Sequence, residues 1–304
     1  MPIGTTYCSN RLKHKTHYPK MVKLIECPRD AMQGLKDFIP TETKAAYINQ
    51  LLKVGFDTID FGSFVSPKAI PQMRDTAEVL NLLDLSAATS KLLAIVANQR
   101  GAEDAAQFEE IAYLGYPFSI SETFQLRNTN ATIEESLERV EEIQHICNRT
   151  GKSLVLYISM GFGNPYGDPW NVDIVQKWVN RLAEMGISIF QLSDTIGVAR
   201  PESIGYLFSN LIPAYPKLEI GAHFHTTPQS WKEKIVTAYE NGCRRFDGAI
   251  KGFGGCPMAK DDLTGNMPTE NMAYYFNEIQ EETCLNLEEF SKSVQMAAQV
   301  FPEH

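Results

Sequence analysis

Short apolar runs rich in β-favouring residues alternate along the chain with longer stretches in which apolar residues recur every three or four positions. The short runs cover residues 22–27, 58–61, 92–97, 118–121, 154–159, 188–192, 219–224 and 245–250, and they begin 26 to 36 residues apart. That interval is about one strand–helix–strand unit. The intervening stretches carry helix punctuation. Residues 43–54 end before Gly55, and Thr132 with Glu135 three positions on opens a helix that runs to Gly151. Residues 173–185 stop at Gly186, Pro201 starts another helix, and residues 230–240 stop at Asn241-Gly242.

Eight such units without a linker predict a closed (β/α)8 TIM barrel as one domain over residues 1–304, with the barrel at about 22–270. Helical segments at 272–279 and 287–301 predict additional C-terminal helices, an extension over about 271–304. An open doubly wound sheet more often has fewer strands, and no G-x-G-x-x-G follows the first run.

Composition narrows the function classes. The chain has 28 Lys+Arg against 37 Asp+Glu, a net charge of −9, with no basic stripe of the kind that holds a phosphate backbone, which excludes nucleic acid as partner. No apolar run approaches the roughly 20 residues that span a bilayer, so no membrane partner is expected. The six cysteines are scattered without a C-x-x-C pair, as for free thiols in a reducing, cytoplasmic setting. Arg11, Lys13, Lys15, Lys20 and Lys23 precede the first acid, Glu26. That is the charge bias of a transit peptide, but without an apolar core or a good amphipathic pattern the segment reads as a tail capping the fold.

In a barrel of this kind, chemistry gathers where strands end and the following loops begin. The first run ends Glu26-Cys27-Pro28-Arg29-Asp30, the second Ile59-Asp60-Phe61 and the sixth Ser193-Asp194-Thr195. The seventh, Gly221-Ala222-His223-Phe224-His225, puts both histidines on one face of a strand. With 6 histidines in the chain, about 0.12 H-x-H pairs are expected by chance. Two adjacent imidazoles suit one cation, and they also suit a pair of hydrogen-bonded polar histidines without metal. If Asp30 and an amide such as Asn266 join them, the donors are two nitrogens and two oxygens with no thiolate. That set fits octahedral Mg2+ or Mn2+ better than a closed tetrahedral Zn2+ site.

Arg29 reads either as an ion pair capping the barrel or as a fixed fork for an enolate oxygen or a substrate carboxylate. Asp60 and Asp194 read either as solvated carboxylates or as groups that orient substrate and metal surroundings. After the eighth run come Gly252-Phe253-Gly254-Gly255-Cys256 and then Gly265-Asn266. Three glycines permit the mobility of a lid carrying a reactive thiol, although most lone cysteines are inert.

At these residues the chain resembles the 3-hydroxy-3-methylglutaryl-CoA lyase family, within the metal-dependent lyase and acyl-transferase TIM barrels. The matching blocks are Pro28-Arg29-Asp30 with Gln33, Ser63-Phe64-Val65-Ser66-Pro67-Lys68 with Pro71-Gln72-Met73, Asp194-Thr195-Ile196-Gly197, His223-x-His225, Gly252-x-Gly254-Gly255-Cys256-Pro257, and Gly265-Asn266 with Glu270. They run in family order from about residue 22 to about 270. The resemblance implies Mg2+ or Mn2+ held by Asp30, His223, His225 and Asn266, with Glu270 behind them. It implies catalytic roles for Arg29, Cys256 and Asp60, and substrate contacts from Arg29, Gln33, Ser63, Asp194 and Thr195. The implied substrate is an acyl-CoA, the implied reaction its retro-Claisen cleavage to acetyl-CoA and acetoacetate, and the implied assembly a homodimer.

The chain departs from the family pattern at Ala31-Met32 (usually Gly-Leu), Asp60 (usually Glu), Asn164 (often Cys), Ser193 (usually Gly) and Thr226-Thr227 (commonly Asp-Thr). The segment from Cys256 to Asn266 is also one residue longer than expected. The alternatives are an acyl-CoA condensing synthase or hydroxy-keto-acid aldolase on the same scaffold, and a non-catalytic acyl-CoA or metal-binding barrel.

Overall fold

The computed structural model describes residues 21–255 and 264–301. Cys256 and the basic segment before Met21 lie outside the described residues. The elements follow in the order β1 (Lys23–Glu26), α1 (Pro28–Gln33), α2 (Thr41–Leu52), β2 (Thr58–Ser63), α3 (Thr76–Asn81), β3 (Lys91–Ile95), α4 (Gln99–Ala106) and β4 (Ile111–Ser119). They continue as α5 (Glu122–Thr129), α6 (Ile133–Thr150), β5 (Ser153–Ser159), α7 (Val172–Glu184), β6 (Ile189–Asp194), α8 (Pro201–Ala214), β7 (Glu219–Thr226), α9 (Trp231–Glu240) and β8 (Arg245–Gly248). A two-residue strand, β9 (Gly265–Asn266), and two helices, α10 (Thr269–Glu278) and α11 (Leu287–Val300), complete the described chain. Strands β1 to β8 pair in parallel with their sequence neighbours, and β8 pairs back onto β1, which closes the (β/α)8 ring.

The helix ends follow from the local chemistry. The Thr132 hydroxyl accepts from Glu135 N–H at 3.1 Å while the Glu135 carboxylate accepts from Thr132 N–H at 2.7 Å, a reciprocal cap on α6. Gly151 ends the same helix in the left-handed conformation, at φ 70°. Asn171 caps α7 by accepting from Ile174 N–H at 2.8 Å, and Pro201 occupies the first turn of α8.

Most strands lie within two residues of the expected runs at each end, and the differences at β4 and β8 have clear physical reasons. Of the apolar run at 118–121 only residues 118 and 119 belong to β4, which begins at Ile111 and ends at Ser119. Gly115 and Pro117 read as breakers, and both are accommodated for physical reasons. A Cβ on Gly115 would lie 2.5 Å from Ile95 Cδ1, so the bare backbone makes room for side chains filling the barrel. Pro117 lies beyond Gly115, where pairing with β3 ends, and only β5 continues alongside it. Strand β8 ends at Gly248 rather than at Ile250, because residues 250–252 turn into a 3-10 helix.

The barrel interior is divided. On the β3–β6 side it is filled by Leu93, Ile95, Tyr113, Val155, Tyr157 and Ile189. On the other side it is ionic, and each charge there needs a partner. At the N-terminal ends of the strands Lys23 reaches Glu219 at 2.7 Å, and the buried Arg245 reaches Glu219 at 2.9 Å and Asp57 at 3.4 Å. This network plugs the end of the barrel away from the loops discussed below. Helix α11 packs on α2, where Asn286 N–H donates to the Val54 carbonyl at 2.8 Å and Phe290 meets Phe56 edge-on at 6.1 Å.

Candidate metal centre and active site

The site is assembled at the C-terminal ends of the strands. Pro28, pre-set for helical φ, starts the one-turn helix α1 directly after β1, so Arg29 and Asp30 are delivered to the barrel mouth. Asp30 and Gln33, three positions apart, share a face, and the Gln33 amide donates to Asp30 Oδ1. The period of two on β7 points His223 and His225 the same way. Strand β9 pairs antiparallel with β7 in the register that sets Asn266 opposite His225.

The ligand atoms of Asp30, His223 and His225 all lie within 4.8 Å of one another. Asp30 Oδ2 is buried without a hydrogen-bond partner and lies 4.0 Å from His223 Nε2. A buried carboxylate oxygen left unpaired opposite two imidazoles is costly unless a cation completes the cluster. The residues therefore fit a divalent ion. Asn266, 2% exposed, stands beside them and donates its amide to the Phe253 carbonyl at 2.9 Å.

The electrostatics agree with this reading. Burial works against the charge on Asp30, but Arg29, His223 and His225 together hold its carboxyl below the usual range. Burial and then the neighbouring His223 push His225 down to about 3, which keeps it neutral and available as a ligand. Burial also opposes protonation of His223, yet Asp247 raises it. Asp247 accepts at His223 Nδ1 from 3.1 Å and takes the Gln191 amide on its other oxygen, which directs His223 Nε2 toward Asp30. The Tyr157 ring packs edge-on against His223 at 5.6 Å.

Arg29 is 7% exposed and held from two sides. Its Nε lies 3.1 Å from each Asp60 oxygen, Nη2 also donates to Asp60, and Nη1 donates to Asp30 Oδ1 at 3.1 Å. Burial raises Asp60 to about 6 although Arg29 opposes the rise. Both oxygens of Asp60 face the guanidinium, so this carboxylate fixes the orientation of Arg29.

The other expected site residues have traceable partners. Ser63 donates to the Ile95 carbonyl at 3.2 Å and accepts from Val65 N–H at 3.3 Å. Thr195 accepts from Met160 N–H at 2.8 Å, tying the end of β5 to that of β6. Asp194 is 1% exposed, with one oxygen accepting from Ala199 N–H at 2.9 Å and the other from Lys234 at 2.5 Å. Glu270 accepts from Lys251 N–H at 2.9 Å, at the foot of the glycine loop. A Cβ on Gly254 would lie 2.6 Å from the Asp30 carbonyl oxygen, so only glycine lets this loop close against α1.

Five supporting residues escaped the sequence reading: Glu26 as a buried carboxyl, Tyr157, Gln191, Lys234 and Asp247. Gln191 and Asp247 carried a usable signal as polar residues at inward positions of apolar strands. Lys234 carried none, since it sits two positions from the exposed Lys232 on the same helix.

An Asp-His-His cluster beside a carboxylate-held arginine, at the loop end of a (β/α)8 barrel, defines a TIM-barrel enzyme of the metal-assisted kind. The chain belongs to the HMGL-like family, whose model matches residues 22–296. It is 34% identical over 275 residues to the Bacillus subtilis hydroxymethylglutaryl-CoA lyase YngG, covering 89% of this chain and 90% of that one. To the mitochondrial hydroxymethylglutaryl-CoA lyase of Bos taurus it is 33% identical, covering 89% and 83%. The crystal structure of the B. subtilis HMG-CoA lyase superposes with a TM-score of 0.87 at 33% identity, over 93% of this chain and 95% of that one. An Acinetobacter baumannii HMG-CoA lyase in complex with coenzyme A and 3-methylmalate superposes at 0.85 and 29% identity, over 94% and 93%. Among the described residues no helix is long and apolar enough to cross a membrane.

Proposed function

We propose that the protein cleaves 3-hydroxy-3-methylglutaryl-CoA to acetyl-CoA and acetoacetate with the help of a divalent cation, Mg2+ or Mn2+. The observation that carries this reading is the Asp30, His223 and His225 cluster with Arg29 fixed at its side. Family membership supplies the substrate class.

The chemistry asks for two things: loss of the proton on the 3-hydroxyl, and a place for the electron pair of the breaking bond between C2 and C3. A cation at the cluster, ligated by Asp30, His223, His225 and Asn266, would supply Lewis acidity toward the substrate's oxygens. Arg29 faces the thioester carbonyl and stabilises the enolate that receives the electron pair, because its charge is permanent and already oriented by Asp60 and Asp30. Cys256, which follows Gly255 in the sequence, takes part in proton transfer, and the enolate gains a proton at C2 to become acetyl-CoA. The hydroxyl loses one proton and the enolate gains one, so no outside oxidant or co-substrate is needed.

Gln33, Ser63, Asp194 and Thr195 line this end of the barrel, and their partners support roles in holding the groups that meet the substrate. Glu270 steadies the foot of the loop. We further place the protein in the cytoplasm as a homodimer. The free Cys27, Cys147 and Cys243 are all buried and fit a reducing setting, and sedimentation analysis tests the assembly.

The decisive experiment is simultaneous assay of acetoacetate and acetyl-CoA from the proposed thioester with Mg2+, with Mn2+ and after chelation. Equal amounts of both products, lost on chelation and restored by metal, are expected. A folded, metal-loaded preparation that releases neither product refutes the substrate.

A further inference from the structure

Lys234 is a buried cation for which the proposed chemistry has no use. It projects inward from α9 and is 1% exposed. Its ammonium has three hydrogens and three acceptors from separate stretches of chain. These are Asp194 Oδ2 at the end of β6 at 2.5 Å, the His225 carbonyl on β7 at 2.9 Å, and the Gly197 carbonyl in the turn after β6 at 3.0 Å. Asp194 is in turn fixed by Ala199 N–H on its other oxygen. A fully donated ammonium in a water-excluded site holds its acceptors at fixed separations, since any retreat leaves a buried charge unpaired.

We propose that Lys234 is a positioning residue for the metal centre. By gripping the His225 carbonyl from the outer helix, it fixes the stretch of β7 from which that imidazole projects toward Asp30 and His223. Asp194 serves as its counter-ion and as the anchor on β6. The two strands that carry the grip are neighbours in the sheet, with Asp194 opposite Phe224 in register, so the clamp spans one strand pair at the rim of the site. This inference rests on the metal reading of Asp30, His223 and His225.

Metal affinity, measured separately from turnover, tests it. The full-length protein, Lys232→Met, and the double variant Asp194→Asn with Lys234→Met are titrated with Mn2+ by calorimetry, and each is unfolded in urea. The double variant removes both buried charges together, so it avoids the stranded carboxylate that Lys234→Met alone would leave. Lys232→Met removes an exposed lysine from the same helix and is expected to bind Mn2+ within about twofold of the unmodified protein. The folded double variant is expected to bind at least about tenfold more weakly than either, the scale of a lost outer support. A folded double variant that binds within about twofold of the unmodified protein overturns the proposal and leaves Lys234 a purely structural ion pair. Where the double variant does not fold, Lys234→Gln is judged by the same thresholds. An unmodified protein that binds no Mn2+ overturns the metal reading and the clamp together, and its own titration distinguishes that failure from failure of the clamp alone.

Discussion

Replacing Glu26 by Gln should make the protein progressively more stable than the unmodified chain as pH rises. Glu26 is 1% exposed, and its two oxygens accept from Ile250 N–H at 2.8 Å and the Thr269 hydroxyl at 2.6 Å. Burial, only partly offset by these bonds, pushes its carboxyl from the usual 4.5 up to about 8. The folded chain therefore holds a proton that the unfolded chain has already released. Stability is fully present below 4.5 and drains away as pH rises toward 8. Each pH unit inside that window costs about 1.4 kcal/mol, so the whole interval amounts to at most about 5 kcal/mol. Glutamine reproduces the protonated acid, with an oxygen for Ile250 N–H and a donor that the Thr269 hydroxyl can accept, and it does not titrate.

Urea unfolding of both proteins at about pH 5.5 and about pH 7.5 isolates the effect, since every other titrating group cancels in the difference. The variant should gain about 2–3 kcal/mol on the unmodified protein between those two points. A difference that stays constant within about 0.5 kcal/mol would show that Glu26 is ionised throughout and that burial does not govern it. The site is informative because Glu26 joins β1 to the foot of the glycine loop and to the start of α10, the flanks of the segment that delivers Asn266.

Three further outcomes are expected. His225→Ala should abolish Mn2+ binding and turnover while the barrel stays folded, and full metal occupancy in that variant, read by elemental analysis, would remove His225 from the ligand set. Asp247→Asn places a donor against either Gln191 or the Nδ1 hydrogen of His223, so calorimetry should show metal affinity about 10–100-fold weaker, or about 1.4–2.8 kcal/mol, and unchanged affinity would refute the orienting role. Cys256→Ser should leave metal affinity intact and lower kcat by about 10²–10⁴-fold, whereas near-normal turnover would reduce the thiol to a component of the loop.

Sequence reasoning succeeded where a local pattern carries the physics. Alternation alone set His223 and His225 on one face of β7, whereas the short helix that Pro28 opens directly after β1 was not expected from the sequence. It failed where the third dimension supplies the reason. Gly115 and Pro117 look like breakers until Ile95 is seen to need the space of one and the end of β3 pairing to release the other. Strand β9 has only two residues and exists because β7 offers it an edge. Lys234 has no local mark because its acceptors lie on β6, β7 and the turn after β6 rather than on its own helix.

The division of the barrel interior explains why a cation belongs at one end of it. Apart from Gln191, which donates to Asp247, strands β3 to β6 contribute an apolar wall that does little to screen charges placed opposite it. On the ionic side, Lys23 and Arg245 answer Glu219 and Asp57 at the far end, and Lys234 answers Asp194 at the rim. Those groups compensate one another locally. What remains around the cluster is Asp30, Asp60 and Asp247 against the single permanent charge of Arg29. Asp60 and Asp30 both lean on that one guanidinium, and Asp247 leans on His223, whose affinity for a proton it raises. With both imidazoles neutral, as ligands require, three carboxylates and one arginine leave the buried site short of positive charge by about the amount a divalent ion carries. The unpaired oxygen of Asp30 marks where that shortage is felt, 4.0 Å from His223 Nε2 and beside the arginine that must keep its own charge for the enolate.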